Sequence, residues 1–162
     1  MPRVTVSRSK DSGFDQKTIE LRRVTRVVAG GKRMSFRAVV VIGDRKGKVG
    51  IGVAKGKDVA QATDKAVFQA RKNVLTVPLV KGTIPHEVIA KHSSAKIMLK
   101  PAKEAHGLIA GGASRVVLSY AGVKNVTAKT LGRTPNKLTN AMATLRALSQ
   151  LRAVEKKVGV EK

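Results

Sequence analysis

The residues best arranged for chemistry lie in the run Gly47-Lys48-Val49-Gly50-Ile51-Gly52-Val53-Ala54-Lys55-Gly56-Lys57. Glycines let backbone N–H groups approach a phosphate, and lysine supplies the counter-charge. Neither established spacing is met. A dinucleotide fingerprint needs a third glycine where Lys55 stands. A P-loop needs four residues between its glycines and then Lys-Ser/Thr, whereas Gly52 and Gly56 enclose three and Asp58 follows Lys57. The run therefore reads as close strand packing and a turn into a helix, with a phosphate near that helix's N-terminus left open. The histidines, His86, His92 and His106, offer no third ligand, and Val88, Ile89 and Ala90 follow His86-Glu87, so no metal site is expected. There is no cysteine, which excludes disulfides and thiolate sites. Asp11, Asp15, Asp44, Asp58 and Asp64 stand in no catalytic context, and Glu20, Glu87 and Glu104 are isolated. The chain is expected not to be an enzyme and to use no cofactor.

The stronger signal is cationic. Arg22, Arg23 and Arg26 lead into Gly30-Gly31-Lys32-Arg33, and Arg37, Lys55, Lys57, Arg71 and Lys72 extend the set, with Lys124 and Arg133 in the second half. Arginine forks and glycine backbone suit phosphate. Over 162 residues there are 33 Lys and Arg against 10 Asp and Glu, a net charge of +23 that would repel itself unless a polyanion offset it. The surplus lies in two blocks: residues 17–57 hold 12 basic and 2 acidic residues, and residues 81–152 hold the same numbers. Between them, residues 58–80 are near neutral, so two basic modules are expected. There is no Trp, and Phe14, Phe36, Phe68 and Tyr120 are the only aromatics. That argues against membrane-surface helices and against base-stacking platforms, and for phosphate and shape recognition of structured nucleic acid. At 42% hydrophobic residues a core can form. The longest apolar run, Ala38 to Ile42, is far too short to span a membrane. The opening residues, Met1-Pro2-Arg3-Val4-Thr5, lack an apolar export segment, so no export is expected.

The elements that must hold these cations follow from period and punctuation. Residues 1–16 read as a flexible arm. Residues 18–28 are β-branched and read as a strand, Gly30-Gly31 break it, and residues 34–42 and 48–54 return as a meander around the turn Gly43-Asp44-Arg45-Lys46-Gly47. Asp58 and Gln61 suggest a capping box, after which Val59, Ala62, Ala66, Ala70 and Val74, with Val67, recur at helical spacing. Pro78 and Gly82 mark a boundary. Residues 84–90 and 95–99 alternate as a strand pair, and Ala113, Val116, Val117 and Tyr120 form a short helix ended by Gly122. Residues 123–129 read as a strand. Thr134-Pro135 suggests an N-cap and first-turn proline for a last helix that turns Leu138, Ala141, Met142, Leu145 and Leu148 inward.

Several segments together resemble a known family. Phe36 to Asp44, Gly47 to Gly52, Gln69-Ala70-Arg71-Lys72-Asn73, Gly82-Thr83-Ile84-Pro85-His86, Gly107 to Arg115 and Ala121 to Val126 stand in the order and spacing of the bacterial small-subunit ribosomal protein S-five family. The resemblance covers about residues 17–152. It implies an α+β fold of two domains: a double-stranded-RNA-binding-like β-β-β-α domain at 17–80, and a β-β-α-β-α domain with a left-handed crossover at 81–152. Residues 153–162, which the resemblance does not reach, read as a C-terminal tail. It implies binding to small-subunit ribosomal RNA, contacts with proteins S-four and S-eight, and a cytoplasmic location in the ribosome. It also implies a place near the channel through which messenger RNA enters, contact with that RNA, and an influence on decoding accuracy.

Matched position by position, Arg23-Val24-Thr25-Arg26-Val27-Val28-Ala29-Gly30-Gly31-Lys32 resembles the family loop beside the spectinomycin site. Gly107 and Arg115 match positions at the interface with S-four. The family often has a basic residue where Ala29 stands, and its usual Asn-Pro-Ile-Asn run reads here Thr134-Pro135-Asn136-Lys137. Two other classes fit the composition: a DNA-compacting nucleoid protein, which the absence of dimer heptads and of a recognition helix disfavours, and a phosphate-substrate enzyme using Gly50 to Lys57.

Overall fold

The computed structural model describes residues 13–152. The first sheet has the order β1-β2-β3-β4, with β1 (Asp15–Val28), β2 (Gly31–Gly43), β3 (Lys48–Gly56) and β4 (Val74–Thr76), all antiparallel. The expected meander is present. Asp15 and Gln16, assigned in sequence to the arm, are instead the first residues of β1, paired with Gly43 and Ile42. Gly13 and Phe14 of that arm are also described, with Phe14 packed against the core beneath α1, while residues 1–12 and the tail 153–162 lie outside the described residues.

Helix α1 (Val59–Lys72) lies on one face of this sheet. Alternation along β2 sends Ala38, Val40 and Ile42 to that face, where they meet Ala62, Ala66, Val67 and Ala70. The glycines of β3 explain how close the helix comes. A Cβ on Gly50 would lie 2.6 Å from the Ala70 carbonyl oxygen, one on Gly56 2.6 Å from the Ala62 nitrogen, and one on Gly52 would collide with the Ala66 carbonyl. The glycine run thus makes room for alanines, the packing role expected for it. The capping box does not form. Asp58 is the N-cap but its side chain accepts no capping bond, and Gln61 Oε1 instead accepts from the Lys57 N–H at 3.2 Å. Val74, placed by periodicity on the helix stripe, belongs to β4. Asn73 ends the helix first, its N–H donating to the Ala70 carbonyl.

The second sheet has the order β5-β6-β8-β7, with β5 (Val88–His92), β6 (Ala95–Pro101), β7 (Leu108–Ile109) and β8 (Val126–Thr130). Helices α2 (Gly112–Ala121) and α3 (Lys137–Ser149) cover it. The expected β-β-α-β-α order holds, with the two-residue β7 added before α2. The pair β7 and β8 is parallel and joined through α2, so it is the crossover to which the implied left hand refers. The strand expected over residues 84–90 begins only at Val88. Gly122 ends α2 in the left-handed region at φ 84, as the sequence suggested. The N-cap of α3 is Asn136, not Thr134: Asn136 Oδ1 accepts from the Leu138 N–H at 3.0 Å, and Pro135 sits before the cap.

The two halves share one core. Val39, Val41, Val49 and Ile51, from the face of the first sheet opposite α1, pack in the same cluster as Ile97, Leu99, Val117, Leu118, Ala147 and Leu148. The run Ala38 to Ile42 is fully apolar because β2 is buried on both faces. The turn after β2 docks on the C-terminal end of α2. Arg45 and Gly47 donate their N–H groups to the carbonyls of Tyr120 and Ala121 at 3.1 and 3.0 Å, filling acceptors a helix end leaves open.

Candidate nucleic-acid interface

The register of β1 and β2 sorts the predicted cations by face. Arg22 lies opposite Arg37 and Arg26 opposite Arg33, so all four arginines share one face of the ribbon. Lys55 of β3 is paired with Arg37 and continues that row. Arg23, opposite Phe36, and Lys32, opposite Val27, point to the other face together with Leu21, Thr25 and Met34. Ala29 and Gly30 form the tip, a two-residue turn between the paired Val28 and Gly31. The segment that resembles the family loop, residues 23–32, is paired strand on both sides of the Ala29-Gly30 turn, in keeping with the strand read over residues 18–28, because β-branched residues continue the ladder almost to the tip.

The distal hairpin rises beyond the core. Val27 is 75% exposed and Met34 52% exposed, while Val40 and Val41 of the same β2 are fully buried. At the base of this extension sits Glu20, 7% exposed. Its carboxylate pairs with Arg22 at 2.8 Å and with Arg37 at 3.0 Å. A buried charge needs such partners. Arg37 is thus partly engaged within the protein, and its Nε–H is buried without a hydrogen-bond partner. By contrast, among the described residues no ion pair or hydrogen bond engages the side chains of Arg26 and Arg33.

The remaining predicted cations do not join this surface as one patch. Lys57 precedes the start of α1, close to the Lys55 end of β3. Arg71 and Lys72 lie in the last turn of the same 14-residue helix, about 20 Å away along its axis. Lys72 Nζ sits 4.5 Å from the centre of the Phe68 ring, an exposed cation–π contact. Lys124 and Arg133 are exposed in the second half, Lys124 after α2 and Arg133 between β8 and α3. Gly107 precedes β7, held by its N–H to Asn125 Oδ1 at 3.0 Å, and Arg115 is exposed in the first turn of α2. One cation that the reading of motifs passed over is Arg45. It pairs with Asp15 at 3.0 Å and lies 5.6 Å from the Tyr120 ring centre. Its place in a Gly-Asp-Arg-Lys-Gly turn was the available signal. Among the described residues, no group of three or more His, Cys, Asp or Glu could hold a metal, and no helix is long and apolar enough to cross a membrane.

Two sheets and three helices around a common core, with a cationic hairpin standing clear of it, define a basic α+β protein of two modules. The chain matches the family model described as ribosomal protein S5, N-terminal domain, over residues 14–78, and the one described as ribosomal protein S5, C-terminal domain, over residues 90–159. It is 47% identical over 138 residues to small ribosomal subunit protein uS5 of Thermotoga neapolitana, covering 85% of this chain and 77% of that protein. It is also 47% identical over 154 residues to small ribosomal subunit protein uS5 of Acaryochloris marina, covering 94% and 86%. Against small ribosomal subunit protein uS5c of Spinacia oleracea it is 50% identical over 141 residues, 86% of this chain and 46% of that protein. The chain belongs to the ribosomal protein S5 family. A structural role in the ribosome follows from that membership, and the family is one of ribosomal structural proteins rather than of enzymes.

Proposed function

We propose that the chain binds folded small-subunit ribosomal RNA through two basic modules, residues 17–80 and 81–152, and holds distant RNA segments in fixed relation. The observation that carries this reading is the distal hairpin. Four of its five arginines stand in two cross-strand pairs on an extension that buries little of its own surface. A free protein gains nothing from such an arrangement, whereas phosphates gain forked donors at fixed spacing. The finer assignments follow the family. The segment Arg23 to Lys32 lies beside the spectinomycin site, Gly107 and Arg115 face S-four, and S-eight is the other protein neighbour. The whole sits near the channel by which messenger RNA enters and affects decoding accuracy. Binding is read from phosphate and shape, since Phe68 is the one strongly exposed aromatic among the described residues.

The test is a gradient separation of a cell lysate followed by RNA footprinting. The protein is expected to travel with small subunits and to protect ribosomal RNA. Travel with DNA, or as a free polypeptide, would overturn the reading.

A further inference from the structure

We infer that phosphate recognition by the hairpin is one-sided. The face bearing Arg22, Arg26, Arg33 and Arg37 is a clamp for the backbone of structured RNA, in which Arg26 and Arg33 grip a single phosphate between their guanidinium groups. Arg22 and Arg37, four residues and so about 13 Å along the ribbon, already hold an internal anion, the Glu20 carboxylate, with Lys55 beside them. The inference rests on the RNA-binding reading above and deepens it.

Like charges directly opposite each other in an antiparallel pair destabilise it. The hairpin carries this arrangement twice, at Arg22–Arg37 and at Arg26–Arg33. In the first pair the repulsion is relieved internally, because Glu20 accepts from both arginines at 2.8 and 3.0 Å. In the second pair no described residue relieves it. An anion placed between the two guanidiniums would do for Arg26 and Arg33 what the Glu20 carboxylate does for Arg22 and Arg37. The protein thus contains, one step down the ribbon, the pattern of the site it leaves open.

The other face lacks this pattern. Arg23 and Lys32 are not paired with each other across the strands: Arg23 faces Phe36 and Lys32 faces Val27. Exposed Leu21, Val27 and Met34 lie among them, which suits an apolar neighbour better than a phosphate. Arginine rather than lysine at all four clamp positions fits forked recognition of phosphate oxygens.

The test uses the full chain and small-subunit ribosomal RNA, with affinity measured across a potassium chloride series. Arg26→Gln and Arg33→Gln should each weaken binding, and the double variant should lose little more than either single one, because both arginines hold one phosphate. The salt slope should fall by about one in either single variant and by little more in the double variant, because one phosphate is lost in each case. The pair Arg26→Lys with Arg33→Lys should keep most of the salt slope yet bind more weakly, since charge remains and the forks are gone. Arg23→Gln with Lys32→Gln should weaken binding far less than Arg26→Gln with Arg33→Gln. Relief of repulsion predicts that the Arg26/Arg33 variants unfold at no lower temperature than the parent, which separates loss of contact from loss of fold. Equal losses on both faces, or additive losses at Arg26 and Arg33, would overturn the one-sided clamp while leaving RNA binding intact. Failure of the parent protein itself to bind the RNA would overturn the underlying reading.

Discussion

The backbone N–H of Arg45 donates to the carbonyl of Tyr120 at 3.1 Å, so a turn of the first half closes off a helix of the second. The Arg45 side chain returns to the same residue, over the Tyr120 ring, while pairing with Asp15. Tyr120 Oη in turn donates to the Gln16 carbonyl at 3.4 Å. β1, the β2–β3 turn and α2 are therefore fastened at one point.

Gly122 is where that fastening should be most sensitive. It holds φ 84, and a Cβ there would collide with the Arg45 carbonyl. Gly122→Ala is expected to cost about 2 kcal/mol or more and to lower the thermal midpoint by at least about 4 °C. Gly111→Ala, at φ −95 with open space around it, is the control and should cost little. Thermal unfolding of the two variants decides; equal midpoints would refute the docking geometry.

Gly52 should be as intolerant for a different reason. Its missing side chain admits the backbone of α1 at Ala66 and Ala70. Gly52→Ala is expected to lever the helix off the sheet, at about 3 kcal/mol or more, through overpacking. Because α1 already fills the space beside the glycines of β3, nucleoside triphosphates should leave the melting temperature unchanged. A rise with added nucleotide would restore the phosphate-cradle reading of Gly50 to Lys57.

Glu20→Gln should separate stability from RNA affinity. Losing the carboxylate leaves Arg22 and Arg37 unbalanced beside a buried amide, with an expected cost of about 1–3 kcal/mol. It also removes a negative charge from the clamp face. Chemical denaturation should show the loss, while RNA binding of the folded fraction should be at least as tight as in the parent. Weaker binding by a fully folded variant would mean that Glu20 positions the arginines rather than competing for them.

Arg115→Ser tests the proposed protein contact. The Arg115 side chain is exposed on α2 and makes no described bond, so the melting temperature should stay within about 1 °C of the parent. Stop-codon readthrough in a reporter strain is expected to rise. Unchanged readthrough with normal incorporation into small subunits would remove Arg115 from the accuracy assignment.

Most elements were legible because their periods were clean. The β-branched runs gave β1 to β3, and alanines four residues apart gave α1. The buried run Ala38 to Ile42 showed that β2 lacks a wet face but not what covers each side, since a period of two says nothing about partners in distant sequence. β4 and β7 were missed because three and two residues carry no period. They exist through pairing with β3 and β8. The cap of α3 was misplaced by two residues because Thr134, Asn136 and Pro135 all carry capping signals, and only geometry chose Asn136 Oδ1. The site cations were legible as a set. Their division into faces needed the register, which a bulge between Thr18 and Glu20 shifts before the arginines begin.

The two-sided burial of β2 has a consequence for how the polypeptide comes into being. Synthesis runs from the amino end, so β1 to β4 and α1 emerge while α2 and α3 do not yet exist. During that interval Val39, Val41, Val49 and Ile51 form an uncovered apolar plate on a nascent chain already rich in positive charge. A truncated product ending near residue 80 would keep that plate permanently and should self-associate. The nascent first module stays sticky until α2 and α3, some sixty residues later, are made to cover it.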